Sequence, residues 1–431
     1  MDPAIITLCV LAVAAFLFIT ELIPLAVTAM AACTMLGILG VLPSKAVYAG
    51  LSNSTVVLFG GMFVIGAAMF KTGLAEAIGI AVVKKAGTNE IPLMAAIMIV
   101  TIVLSSVSSN TGTVACLMPV IIGICQAAKI PASKELMPLA IAANVGGTIT
   151  MIGTPPNVIV TGALTTAGLP TFGFFEFAAI GIPLSLVITV YTLFIGRHMI
   201  AAKSAGAMDE EALKAAKEEA GASGDDAPKS KTKMWISGLI LIGVVLCMAL
   251  DLKTVPLHTA AVTGAILCVV TGCLKEKEAY AGIDWVTIFL FAGMLSVATA
   301  MEKTGAGKLI ADTVVSMMGT NPNPYVLTAV LFLISNVLTQ FMSNTASAAL
   351  LAPIGISIAQ SIGADPKPVL MALGIAASCA FATPMATPPN TLVLGPGGFS
   401  FNDYAKVGVP MCVISLIVCL VVIPIVWPFG M

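Results

Sequence analysis

Charge is what this sequence lacks. Only 10% of its 431 residues are Asp, Glu, Lys or Arg. Soluble domains carry roughly a quarter, so a soluble globular protein is excluded. The net charge of −1 offers no basic surface for a nucleic acid. Histidine is scarce as well, and His198 and His258 sit at the ends of apolar runs, away from any cysteine cluster. The ten cysteines are scattered through apolar runs without close metal-type pairing. They read as small packing residues in a membrane rather than as zinc, haem or iron–sulfur ligands, and no resident cofactor is expected. Carboxylates are missing from the candidate spans: Glu21, Glu176, Asp284, Glu302 and Asp403 all fall near span ends. A proton-driven pump or cation–proton antiporter usually needs an intramembrane carboxylate, so that class is disfavoured. No span carries a nucleophile–base pair either, which argues against an enzyme.

What is present is hydrocarbon. Hydrophobic residues make up 58% of the chain and its mean hydropathy is +1.06. Apolar runs recur at about 3–20, 24–42, 54–70, 177–196, 234–250, 257–273, 285–300 and 405–428. Each approaches the roughly 20 residues that a spanning helix requires. The fold class is therefore an all-α polytopic membrane protein. The first run has no basic stretch before it and no small-residue cleavage site after it, so it is expected to stay as a span.

The chain also resembles itself. GGMFVIGAAMFKTG (60–73) matches AGMLSVATAMEKTG (292–305), and SNT at 109–111 recurs at 343–345, each with a proline eight residues beyond its Thr (Pro119, Pro353). GTPPN (153–157) recurs as ATPPN (386–390), and FFEF (174–177) as FNDY (401–404), both followed by a GxP. The separations stay between 227 and 234 residues, as expected of a duplicated gene. The seam is the one long polar stretch, 197–233, whose Ala/Glu/Lys portion could form a short surface helix and whose GASGDDAP reads as flexible linker.

Each half then holds three spans, an amphipathic stretch, a hairpin interrupted at SNT, a helix interrupted at TPPN and a last span. A hairpin that enters and leaves on one side gives five crossings per half. An odd count inverts the second half relative to the first. The positive-inside rule sets the orientation. With the N-terminus outside, 15 of the 20 Lys and Arg fall on the inner side, among them Arg197 and the six lysines of the 197–233 connector, and Lys45, Lys253, Lys303, Lys308 and Lys367 fall outside. Both termini are then extracellular, the connector is cytoplasmic, and the first hairpin opens from the cytoplasm.

The interruptions carry the chemistry. Pro155–Pro156 and Pro388–Pro389 must open their helices. Freed carbonyls and amides cannot face lipid, so they line a cavity or meet protein. Unwound carbonyls with the oxygens of Ser, Thr and Asn suit an alkali cation, and helix N-termini at a break suit an anion. One SNT alone would be packing glue between helices. Four interruptions at equivalent places in two halves point to a central site. With no basic side chain to neutralise it, a multivalent anion there would rely on helix termini and co-bound cations, which predicts cation-coupled anion transport.

At these residues the chain resembles the divalent anion/sodium symporter family of the ion transporter superfamily, whose signature is the paired SNT and paired TPPN motifs. Both pairs are intact, and the likeness covers nearly the whole chain. The resemblance implies sodium-coupled symport of dicarboxylate, citrate or sulfate by a homodimer, with C4-dicarboxylates (succinate, malate, fumarate) the leading substrates. It implies elevator alternating access, with scaffold parts at 1–90 and 234–322 and transport parts at 91–196 and 323–431. It places a first sodium on Ser105, Ser109, Asn110 and backbone near Gly153, and a second on Thr339, Asn344 and backbone near Met342 and Ala386. The substrate would meet Ser109, Asn110, Thr111, Thr154 and Pro155 from the first half, and Ser343, Asn344, Thr345, Thr387 and Pro388 from the second. A sodium-independent dicarboxylate exchanger or a sulfate or citrate carrier on the same fold, or, in a different class, a channel or a structural membrane protein, would be the alternatives. The expected location is a bacterial-type inner cell membrane.

Overall fold

The computed structural model describes residues 2–430 apart from 88, 204–209, 212–213, 215–229, 251–253 and 319–322. Most of the connector, with its expected Ala/Glu/Lys helix, lies outside the described residues. Among the described residues there is no β-strand, and one isolated bridge joins Ala364 to Gly430.

The first half forms α1 (Pro3–Thr20), α2 (Leu25–Ile38), α3 (Ser54–Lys71), α4 (Leu74–Ala86), α5 (Glu90–Ser105), α6 (Asn110–Ala128), α7 (Ser133–Gly146), α8 (Pro155–Thr166) and α9 (Ala178–Met199). The second half repeats the order: α10 (Lys231–Ala249), α11 (Leu257–Val270), α12 (Trp285–Thr304), α13 (Ala306–Met318), α14 (Pro324–Leu338), α15 (Asn344–Ser361), α16 (Pro366–Ser378), α17 (Pro388–Leu394) and α18 (Phe401–Val426). Each of the eight apolar runs contains one helix. Among the described residues, seven helices are long and apolar enough to cross a membrane, and α2, α5, α11 and α14 are shorter apolar helices. The protein is thus an all-helical, multi-pass membrane protein.

The helix starts follow from local chemistry. Asp2, Asn53, Asp284, Asn323 and Asp365 each accept a backbone N–H at the start of the next helix, satisfying a donor the first turn leaves open. The faces follow from burial. α1, α10 and α18 expose most of their apolar surface, whereas α3 and α12 are largely buried. In a bilayer the outward hydrocarbon faces lipid.

Two packed groups emerge. In one, α2 lies along α12 and α3 along α11, with α1 and α10 beside them. In the other, α5 packs on α7, α14 on α16, and the broken helices α7–α8 and α16–α17 cross between the halves. The second group is buckled at both ends. Glu176 Oε1 meets Lys367 Nζ at 2.6 Å and accepts from Trp427 Nε1 at 2.6 Å. Asp403, the counterpart of Glu176, meets Lys203 Nζ at 2.8 Å, which also donates to the Gly398 carbonyl at 2.7 Å.

Burial alone would raise the Glu176 carboxyl. The hydrogen bonds from Lys367, the Gly173 N–H and Trp427 outweigh it and hold the carboxyl below the usual carboxylate range. A depressed folded-state pKa gives stability that is present at neutral pH and lost as pH falls through that lowered value. Glu176→Gln should therefore lower the melting temperature of the detergent-solubilised protein at pH 7. The gap to wild type should close below the ordinary carboxylate range. A gap independent of pH would show that the ion pair contributes nothing.

Candidate functional site

Each broken helix is pinned by the asparagine of its own TPPN. α7 ends at Gly146 and α8 begins at Pro155, where a proline costs nothing because the first-turn N–H is unpaired anyway. Between them Asn157 Nδ2 donates to the Gly147 carbonyl at 3.2 Å and the Thr150 carbonyl at 2.9 Å. Thr150 Oγ1 donates to the Ser106 carbonyl at 2.5 Å. The second half repeats this: Asn390 Nδ2 donates to the Ala380 carbonyl at 3.0 Å and the Thr383 carbonyl at 2.9 Å. Thr383 Oγ1 donates to the Gln340 carbonyl at 2.6 Å. These bonds answer the question the double prolines raise, namely where the freed carbonyls find partners. Sequence reasoning read TPPN for its prolines and passed over Asn157 and Asn390. Their position one residue after the Pro pair was the available signal.

The hairpin turns show the same doubling. Ser105 Oγ donates to the Ala143 carbonyl at 2.8 Å and is in hydrogen-bond contact with Asn110 Oδ1. Thr339 Oγ1 lies 2.8 Å from the Ala377 carbonyl and 2.5 Å from Asn344 Oδ1, with one hydroxyl proton to share between the two acceptors. The Asn110 amide also approaches the Gly153 carbonyl at 3.1 Å and the Ala143 carbonyl at 3.2 Å. With Oδ1 on that side, oxygens from Ser105, Asn110, Ala143 and Gly153 converge with one hydroxyl proton among them. A hard cation satisfies such a set. An inverted amide would fill it without one.

Close backbone approach makes this cluster possible. A Cβ on Gly153 would meet the Gly147 carbonyl oxygen at 2.5 Å, and one on Gly147 would meet the Asn110 amide at 2.9 Å. Gly153→Ala is expected to destabilise the protein by about 1–3 kcal/mol, because backbone rather than a movable side chain is in the way. Gly123→Ala, with open space around the added carbon, should stay within about 0.5 kcal/mol of wild type. Thermal melts of the two variants check this, and equal losses would contradict it.

Thirteen of the candidate residues line one cavity of about 490 Å³. From the hairpin turns come Ser109, Asn110 and Thr111, and Met342, Ser343, Asn344 and Thr345. From the helix breaks come Gly153, Thr154 and Pro155, and Ala386, Thr387 and Pro388. Ser105 and Thr339 do not reach it. They lie behind the turns, fully buried, against Asn110 and Asn344. α6, α8 and α15 begin at this cavity, each directing first-turn N–H groups and a positive dipole end into it, and the short α17 begins there too. Among the described residues, no Lys, Arg or His lines it. Phe59, Met62, Phe63 and Phe70 form an apolar wall from α3, and the cavity extends to Glu21 and Asp284 at the ends of α1 and α12.

Two buried residues escaped sequence reasoning. Asn144, 1% exposed, also lines the cavity. Glu135 lies within α7, fully buried, with neither carboxyl oxygen hydrogen-bonded. It stands in the first turn of α7 and outside all the apolar runs, so it places no carboxylate in the middle of a candidate span. The survey of apolar runs missed it because α7 falls between the runs, as half of a broken helix.

Comparison with known proteins agrees with this geometry. The family model described as "Citrate transporter" (CitMHS) matches residues 15–366 and 341–429. An uncharacterized transporter of Haemophilus influenzae is 30% identical, covering 95% of this chain and 89% of its own. The sodium-dependent dicarboxylate transporter SdcS of Staphylococcus saprophyticus is 26% identical, covering 94% of this chain and 83% of its own. The crystal structure of the YdaH transporter of Alcanivorax borkumensis superposes with a TM-score of 0.67 at 15% identity over the full length of both chains, which is a likeness of fold. Apolar spans, paired helix breaks and a central polar cavity thus meet in a membrane transporter rather than an enzyme, and the chain belongs to the citrate transporter (CitMHS) family.

Proposed function

We propose that the protein is a sodium-coupled symporter of small divalent anions, with C4-dicarboxylates such as succinate, malate and fumarate as substrates. The observation that carries this reading is the doubled oxygen cluster behind a cavity without a basic side chain. Ser105, Asn110 and the Ala143 carbonyl form one cluster, and Thr339, Asn344 and the Ala377 carbonyl form the other. One sodium is held by Ser105, Ser109, Asn110 and the Gly153 carbonyl, and a second by Thr339, Asn344 and backbone at Met342 and Ala386. The two cations and the helix N-termini offset the charge of the dianion. Ser109, Asn110, Thr111, Thr154 and Pro155 meet it from one half, and Ser343, Asn344, Thr345, Thr387 and Pro388 from the other. SdcS, named as a sodium-dependent dicarboxylate transporter, supports both the ion and the substrate class.

The same reading makes the two halves inverted repeats. The group built on α2, α3, α11 and α12 is the scaffold, and the group with the hairpins and broken helices is the moving transport part, in a homodimer. With the termini outside and the connector cytoplasmic, Glu21 and Asp284 lie at the inner face, so the cavity is open to the cytoplasm. A second reading, citrate as the substrate, is favoured by the description of the matching family model. Competition decides between them: labelled succinate uptake into proteoliposomes should be inhibited by malate and fumarate at lower concentration than by citrate or sulfate. Stronger inhibition by citrate would replace the first reading with the second.

A further inference from the structure

Asn144 belongs to neither SNT nor TPPN, yet it joins the two halves at the cavity. Its Nδ2 donates to Asn390 Oδ1 at 3.0 Å and to Thr387 Oγ1 at 3.1 Å, so a first-half helix reaches the second-half break. The direction of every bond in this chain is forced. Asn390 must turn its NH2 toward the Ala380 and Thr383 carbonyls, which can only accept. Its Oδ1 therefore faces Asn144, which must answer with its own NH2. The second hydrogen of that NH2 goes to Thr387 Oγ1. The same oxygen also accepts from the Asn390 N–H at 3.4 Å.

A hydroxyl has two lone pairs and one proton. Both lone pairs of Thr387 are used, and its proton has no partner among the described residues. Thr387 is 4% exposed and lines the cavity, so the cavity is the space left for that proton.

The first half has no such relay. Ser378 occupies the place equivalent to Asn144, and its hydroxyl donates back to the Gly374 carbonyl at 2.8 Å within its own helix. Asn157 Oδ1 is buried without a partner, and Thr154, the counterpart of Thr387, makes no side-chain capping bond. The two helix breaks share one backbone design and differ in whether their threonine is directed.

We infer that Asn144 is a positioning residue that fixes Thr387 as a hydrogen-bond donor into the cavity, so that the second-half break selects an acceptor-bearing anion while Thr154 stays free to donate or accept. The inference rests on the reading of the cavity as an anion site. It predicts an asymmetric site, in which one carboxylate of the substrate is held against Thr387 by a preset donor.

The test uses full-length wild type, Asn144→Ser, Asn144→Asp, Thr387→Ala and the Asn144→Ser/Thr387→Ala double variant in proteoliposomes. Initial rates of labelled succinate uptake are measured against succinate and against sodium. Serine, as at 378, removes the donor; Asn144→Ser should raise KM for succinate about 10-fold, with the maximal rate and half-saturating sodium within about 3-fold of wild type. Aspartate keeps the shape but gives Thr387 an acceptor, turning its proton from the cavity, so Asn144→Asp should raise KM about 100-fold. Because Asn144 acts through Thr387, the double variant should lie within about 2-fold of Thr387→Ala.

An unchanged KM in Asn144→Ser would overturn the inference. So would a fall in maximal rate together with the melting temperature, or losses that multiply in the double variant. If wild type carries citrate or sulfate instead of succinate, the dicarboxylate reading alone falls, and the same KM comparison is made with that anion. If wild type takes up none of the three, the anion site and this inference fall together.

Discussion

Asn344→Ala is expected to lower sodium-driven uptake about 100-fold, with the protein still folded; loss of one oxygen ligand to a buried cation is worth on the order of 2–3 kcal/mol. Asn344 serves twice. Its Oδ1 faces Thr339 in the proposed cation cluster, and its backbone begins α15 at the cavity. Asn110→Ala should behave alike, since its side-chain amide faces Ser105 and its backbone begins α6. The two losses need not be equal. Asn110 is near a fourth oxygen at Gly153, whereas Asn344 meets Thr339 and, through it, the Ala377 carbonyl. Half-saturating sodium should rise in both variants, because the cation ligands are removed first. Full activity in either alanine variant would remove that residue from the site.

The second large effect falls on stability. Asn390→Ala removes the NH2 that satisfies the Ala380 and Thr383 carbonyls and the oxygen that receives Asn144. Each buried polar group left without a partner costs about 1–3 kcal/mol, so the combined loss over these three groups is about 3–9 kcal/mol. Bilayer and protein interior offer no water to replace it. Asn157→Ala leaves two carbonyls open but frees no partner of its Oδ1, which has none. It should therefore cost less than Asn390→Ala. Thermal melts in detergent would compare the two directly. Equal losses would mean that the link from Asn144 contributes nothing to stability.

The large features were legible because they are written as long patterns. Eight apolar runs gave eight helices with ends displaced by a few residues, since lipid demands a fixed length and a closed backbone. The doubled SNT and TPPN motifs led to the residues that line the cavity. Shorter helices were harder. α7, α8, α16 and α17 fall between apolar runs, and each is too short for a hydropathy window. Glu135 was overlooked for that reason. Asn144 was illegible for another: its meaning lies in a contact with Asn390, some 246 residues away, and nothing local marks it. The pins at Asn157 and Asn390 stood within the quoted motif, but the prolines drew the attention that the carbonyl accounting would have given to the asparagines.

The central claim is that a sodium gradient drives an anion through the cavity between the two hairpin turns. Uptake of labelled succinate into proteoliposomes, with an inward sodium gradient and with sodium replaced by potassium, tests it most directly. The predicted result is concentrative uptake that collapses when sodium is removed or equal on both sides. Uptake that is indifferent to sodium, or that requires a counter-anion inside the vesicle, would contradict symport and leave an exchanger.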